Sequence, residues 1–187
     1  NLPVPSLAKE TDIFPGWLLD LTTDNPDDSW FAVYTLARQE KELMRRLRPL
    51  SIAYYGPMIE QRKRSPQGRI RTSYVPLFTG YVFVRGDEVA RHDAVSTGCI
   101  SRCLNVTESE ELVEDLKRIR QLIVVGSEVR PEPKPLAGRK AIVRSGAMKG
   151  LQGTITKALN QHRLTVMVNF MQQGASVIVD EADVELL

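Results

Sequence analysis

Long hydrophobic runs are missing from this chain. No apolar stretch approaches the ~18 residues that read as a membrane-spanning helix, so no span is expected. Histidine and cysteine are scarce, at two each among 187 residues. A zinc site takes about four ligands, and His92 and His162 lie far apart in sequence. Cys99 and Cys103, spaced i, i+4 in Cys-Ile-Ser-Arg-Cys, therefore read as reduced, mostly buried thiols. There is no glycine-rich phosphate loop, no nucleophile elbow and no His-Glu-x-x-His. Two histidines in unrelated segments make no acid–base pair. The expectation is a protein that is not an enzyme and carries no cofactor or metal. The acids Asp180, Glu181, Asp183 and Glu185 read as a solvated final strand and tail. No secretory leader, with its basic head and apolar middle, is recognised, so the expected compartment is the cytoplasm.

What is present fits a globular protein of one or two domains, with 42% hydrophobic and 26% charged residues. Charge is unevenly placed. Residues 1–29 hold one lysine against six acids, residues 30–125 sixteen basic against eleven acidic residues, and residues 126–187 eight against six. An acidic leader thus precedes a basic body, which is compatible with nucleic acid nearby. The leader carries Pro3, Pro5, Pro15 and Pro26 and reads as a mostly disordered extension. Its apolar island, Ile13 to Leu19, either docks back on the body or binds a partner.

The chain is organised around Val75 to Val84, which starts near a proline, turns at Thr79-Gly80 and leaves as a β-branched and aromatic strand. Alternation puts Tyr81 and Phe83 on one face and Val82 and Val84 on the other. Before it, Trp30 to Leu36 reads as a strand. Ala37 to Arg48 reads as a helix with Leu43, Met44 and Leu47 on one stripe, stopped by Pro49. Ile52 to Ile59 is extended. Ser65-Pro66-Gln67-Gly68 suits a turn joining two basic arms, so residues 61–71 read as a protruding hairpin. After the central strand, Asp87 caps a short helix and Ile100 to Val106 is a strand. Thr107 and Glu110 form a capping box that opens a helix ended by Gly126. The order is β-α-β-β-β-α-β-α, an α+β domain over residues 30–125 with an antiparallel sheet flanked by helices.

Pro131, Pro133 and Pro135 make residues 126–137 read as a semi-rigid polyproline spacer. Residues 138–187 then give five short β runs without helix, a small barrel. Leu164 to Val179 is rich in strand formers, so a stable β structure is expected there.

Pro76-Leu77-Phe78-Thr79-Gly80-Tyr81-Val82-Phe83-Val84 resembles the signature strand of the NusG/RfaH family of bacterial transcription factors, with Thr79 where the family usually has proline. Ala141 to Ile155, with glycines at 146, 150 and 153, resembles the KOW motif, with Ala147-Met148 where the family often has Pro-Phe. The resemblance covers about residues 30–187. It implies a NusG N-terminal domain followed by an SH3-like KOW barrel. Cys99, near the place of a usual glycine, and the acidic leader are further departures. The leader and Pro57-Met58 suggest a specialised paralogue.

By motif position the resemblance implies that Tyr34, Phe78, Tyr81 and Phe83 form the depression gripping the clamp helices of RNA polymerase, the alternative being that some of the four are ordinary core, with His92 near a second polymerase contact. It implies a factor that bridges the clamp, favours processive elongation or antitermination, and sits on the nucleoid through polymerase. Met148 and Phe170 correspond to loop positions that meet a small-subunit ribosomal protein or Rho. Read from the residues themselves, the hairpin cations Arg62, Lys63, Arg64, Arg69 and Arg71, extended by Arg45, Arg46 and Arg48 on the first helix, suit backbone contacts to upstream or non-template DNA. Their alternative is a charged, solvated edge. A monomer is expected. The competing function is a KOW-type RNA- or ribosome-binding protein that does not act on polymerase. A small enzyme would need a site the sequence does not show.

Overall fold

A computed structural model describes residues 9–20 and 25–187. It divides into two compact units, residues 1–105 and 106–187. The fold is mixed α+β with antiparallel sheets, and among the described residues no helix is long and apolar enough to cross a membrane.

The first unit contains β1 (Ile13–Phe14), β2 (Ser29–Thr35), α1 (Glu40–Leu47), β3 (Ala53–Tyr55), β4 (Met58–Arg64), β5 (Ile70–Pro76), β6 (Tyr81–Gly86), α2 (Glu88–Val95) and β7 (Ile100–Asn105). Its sheet runs β1-β3-β6-β2-β7, antiparallel throughout, while β4 and β5 form a separate hairpin. The organising strand β6 is central, as its aliphatic face requires. Val82 and Val84 join Phe31, Val33 and Tyr54 in a core that Leu43, Met44 and Leu47 of α1 and Ala94 of α2 help to form. Asp87 caps α2 as expected, its carboxylate accepting the Ala90 N–H at 2.8 Å.

The expectation of a disordered leader does not hold for residues 9–20. Ile13 and Phe14 pair with Tyr55 and Tyr54, and the Phe14 and Tyr54 rings lie 6.1 Å apart. The Asp12 carbonyl accepts the Gly56 N–H at 2.8 Å, and the Tyr54 hydroxyl donates to the Thr11 carbonyl at 2.9 Å. Burial pushes the Tyr54 phenol up to about 12. Leu18 and Leu19 are both 2% exposed. The apolar island docks because it completes a sheet edge and buries aliphatic surface, which offsets the entropy of ordering it. The rest of the expected disorder, residues 1–8 and 21–24, lies outside the described residues.

The second unit contains α3 (Ser109–Val125), β8 (Arg130–Pro133), β9 (Arg139–Val143), β10 (Gln152–Ala158), β11 (Gln161–Val168), β12 (Gln173–Val179) and β13 (Val184–Leu186). The sheet order is β13-β9-β10-β11-β12-β8. Leu164 to Val179 lies in β11, a short 3-10 turn (Asn169–Met171) and β12, with the strand character its composition predicts. Three expectations change here. The helix assigned to the first domain belongs to this unit, where α3 packs on β11, β12 and the 3-10 turn and buries Leu112, Leu116, Ile119 and Leu122. It begins one residue beyond the position a Thr107 cap would set, and Glu108 at the cap makes no side-chain bond. The proline spacer contains a sixth strand, β8, paired with β12 from Gln173↔Pro133 to Ser176↔Arg130. Prolines at alternate positions put both missing N–H groups on one side of the strand. That side faces outward on an edge strand, and the ladder to β12 survives.

Arg163 on β11 fastens this addition. It is 5% exposed, and its Nε donates to Ser176 Oγ at 2.9 Å. One terminal nitrogen donates to the carbonyls of Ser176 and Glu128. Ser176 Oγ in turn donates to Glu132 on β8 at 2.8 Å. Burial lowers the Arg163 pKa. Of the three glycines of the KOW-like segment, Gly146 and Gly150 have positive φ, at 83° and 93°. Gly153 has a different reason: it sits in β10, where a Cβ would come within 2.3 Å of the Thr165 carbonyl oxygen.

Candidate functional site

The turn before β6 sets the first candidate surface. Phe78, Thr79, Gly80 and Tyr81 form a tight turn in which the Tyr81 N–H reaches the Phe78 carbonyl at 3.0 Å. Gly80 holds the third position at φ 83°, the geometry of a type II turn. The turn is held from two sides. The Gly80 carbonyl accepts the Thr35 N–H at 2.8 Å, and its N–H donates to Glu40 Oε1 at 2.7 Å. Glu40 is buried at the start of α1 and spends its carboxylate on this bond. A Cβ on Gly80 would lie 3.2 Å from the Tyr34 ring, and Tyr34 meets Tyr81 edge to face with centroids 5.0 Å apart.

This glycine turn, feeding an aromatic strand that lies beside β2 and leads into α2, agrees with the comparison of the sequence with known families. A family model described as "Transcription termination factor nusG" matches residues 28–141, well over half of the chain. The chain belongs to the NusG family. No curated protein matches it. The family is one of transcription elongation and termination factors that bind RNA polymerase. The match begins just before β2 and ends in β9, so it covers β2 to β8 with all three helices and leaves out β1.

The four aromatics expected to line one depression separate into two pairs. Tyr34 is 39% exposed and Tyr81 is partly exposed. Phe78 and Phe83 are 1% and 0% exposed, and meet each other edge to face at 6.4 Å. The expectation that both phenylalanines contact a partner is therefore corrected. Phe83 falls at the centre of the sheet, opposite Tyr55 and Ala32, and Phe78 is folded under by the turn. The NusG-type turn makes a further prediction. Pro is common at the second position of such turns, and Thr79 stands there. Thr79→Pro is expected to raise stability by about 0.4–1 kcal/mol by restricting the unfolded chain. Gly80→Ala is expected to lower it by about 1–2 kcal/mol through the left-handed backbone, with crowding of Tyr34 added. Thermal melts of the two variants check both signs.

The basic hairpin forms as expected. The Gly68 N–H closes on the Ser65 carbonyl at 2.9 Å, Gly68 has φ 79°, and Ser65 Oγ accepts the Arg69 N–H at 3.1 Å. This is a type I turn with a left-handed glycine. Arg62 is tied to Glu60 at 2.8 Å. Among the described residues no carboxylate pairs with Lys63, Arg64, Arg69 or Arg71. Lys63 stands directly across from Arg71, a like-charge pair that disfavours the isolated hairpin and that a polyanion would relieve.

Arg45 and Arg46, grouped with these by sequence, are engaged elsewhere. Arg45 Nε meets Glu10 at 3.0 Å. Arg46 Nε meets Glu42 at 2.8 Å and its Nη1 donates to the Thr97 carbonyl at 2.8 Å. The paired charge holds the Glu42 carboxyl below its usual range. His92 is exposed on α2 with Asp93 at 3.7 Å.

In the second unit Phe170 is 40% exposed on the 3-10 turn, beside a small cavity of about 150 Å³ that it lines with residues of α3. Asn169 fixes that turn: its backbone N–H donates to Asp115 Oδ2 at 3.0 Å and its Nδ2 to Glu111 at 2.6 Å. Met148 is partly exposed in the loop between β9 and β10. Three of the four C-terminal acids are engaged: Asp180 accepts the Ala182 N–H, Asp183 accepts the Ser145 hydroxyl, and Glu185 pairs with Arg144. Glu40, Glu10 and Asp115 were not visible as functional or positioning residues in the sequence, because their partners are 35 to 54 positions away.

Proposed function

We propose that this NusG-family protein binds the clamp helices of bacterial RNA polymerase through its first unit, as a cytoplasmic, monomeric factor that acts by binding and not by catalysis. The observation that carries the reading is the exposed Tyr34–Tyr81 pair, held over a rigid glycine turn with buried Phe78 and Phe83 in the same stretch. Rigid aromatic anchors lose little entropy on binding and favour an interface centre. A factor that holds the clamp closed shifts polymerase away from paused or open states and makes elongation more processive. The free hairpin cations then steady upstream or non-template DNA through its backbone. Phe170 and Met148 present the KOW-like unit to a second partner, of the kind a small-subunit ribosomal protein or Rho supplies.

The test is retention of purified bacterial RNA polymerase by the full chain. Tyr34→Ala/Tyr81→Ala is expected to reduce retention at least about tenfold, the scale of a lost hot-spot pair. Thermal melts establish that the variant is folded. Equal retention by both forms would move the interface elsewhere, and no retention by wild type would remove polymerase as the partner. In that case RNA or ribosome binding by the second unit becomes the reading.

A further inference from the structure

Glu10 is the least expected residue in the first unit. Its leader segment is stitched to the body by β1, by the Thr11 and Asp12 backbone bonds, and by Asp12 Oδ2, which accepts the Met58 N–H at 3.3 Å. That stitching presents one carboxylate to two guanidinium groups of the α1 region, three residues apart. Oε2 lies 3.0 Å from Arg45 Nε and Oε1 lies 2.6 Å from Arg48 Nη2. The Glu10 side chain is 16% exposed and the arginines are more open. Arg46, between them in sequence, turns to Glu42 and Thr97, and the second Glu42 oxygen lies 3.6 Å from Arg45 Nη1, so Arg45 is shared between Glu10 and Glu42. Two guanidinium groups converging on the two oxygens of one oxyanion is also the donor arrangement that takes a phosphodiester.

We propose that Arg45 and Arg48 form a phosphate-binding site for nucleic acid that Glu10 keeps occupied, so that the acidic leader competes with the nucleic-acid backbone for α1. The lock is weak by construction. Partly exposed ion pairs contribute about 0–1 kcal/mol, whereas a polyanion adds the release of its condensed counterions. The nucleic acid is favoured over an acidic protein because the same unit carries Lys63, Arg64, Arg69 and Arg71 without carboxylate partners among the described residues.

The site stands apart from the polymerase reading and is tested without polymerase. Binding of the full chain to a fluorescent DNA duplex is measured over a range of KCl. Glu10→Gln is expected to tighten binding about three- to tenfold at low salt and to steepen the salt slope by about one to two, since each phosphate contact contributes roughly 0.9. Glu10→Asp, too short to span both arginines, is expected to move the same way. Arg45→Ala/Arg48→Ala added to Glu10→Gln is expected to cancel the gain. Asp27→Asn, the same charge change on an exposed residue, controls for net charge. The gain is expected to persist in a Lys63→Ala/Arg71→Ala background, which weakens the hairpin contribution alone. If Glu10→Gln matches Asp27→Asn in affinity and slope, the proposal falls. If the gain appears for polyglutamate and not for DNA, the nucleic-acid assignment falls with it.

Discussion

Residues 138–187 alone are expected to give no cooperative thermal transition, whereas residues 106–187 melt as one unit. The difference is α3 with β8. Leu112, Leu116, Ile119 and Leu122 are each at most 1% exposed against β11, β12 and the 3-10 turn. At about 1.5–3 kcal/mol per fully buried aliphatic side chain, the four contribute on the order of 6–12 kcal/mol. That is an upper value, because the unfolded chain already hides some of this surface. It is still comparable with the ~5–15 kcal/mol that stabilises a whole domain. Cutting at 138 also removes Glu128 and Glu132 from around Arg163 and leaves the β12 edge open. Circular dichroism melts with a dye reporting exposed apolar surface check this. Equal melting temperatures for the two fragments would show that α3 is dispensable, and a helical spectrum from residues 138–187 would contradict β11 and β12.

Arg163→Met in residues 106–187 is expected to cost about 2–4 kcal/mol, the scale for breaking a buried charged hydrogen-bond network. The methionine keeps the aliphatic stem, so the loss isolates the guanidinium. Without it, the Ser176 and Glu128 carbonyls and the Ser176 hydroxyl lose this donor. Arg163→Lys is expected to recover little, since a single ammonium nitrogen does not reproduce the two separate donor nitrogens with which the guanidinium reaches Ser176 Oγ and the two carbonyls. Urea denaturation measures it. A loss below about 0.5 kcal/mol, within the range of ordinary surface substitutions, would mean that β8 is held by its ladder alone.

Elements whose causes are local are legible in the order of residues alone. The alternation of Val82 and Val84 against Tyr81 and Phe83, the Ser65-Pro66-Gln67-Gly68 turn, the Asp87 cap and the aliphatic stripe of α3 all follow from backbone periods and turn chemistry within a few residues. The family was legible for the same reason, because its signature is a local turn and strand. The remaining features depend on partners distant in sequence. A helix stripe states that one face must be covered and does not state by what; β11 and β12 cover that of α3. Prolines at every second position suit a spacer and an edge strand equally well; β12 made them a strand. An aromatic beside a turn reads as interface or as core, and the closing of the sheet put Phe78 and Phe83 inside and left Tyr34 and Tyr81 at the rim. Charge counts found the arginines of α1, but only the path of the leader revealed that Glu10 already holds two of them. Burial and ion pairing are properties of surfaces brought together by the whole chain, and no window of a few residues contains both sides of the contact.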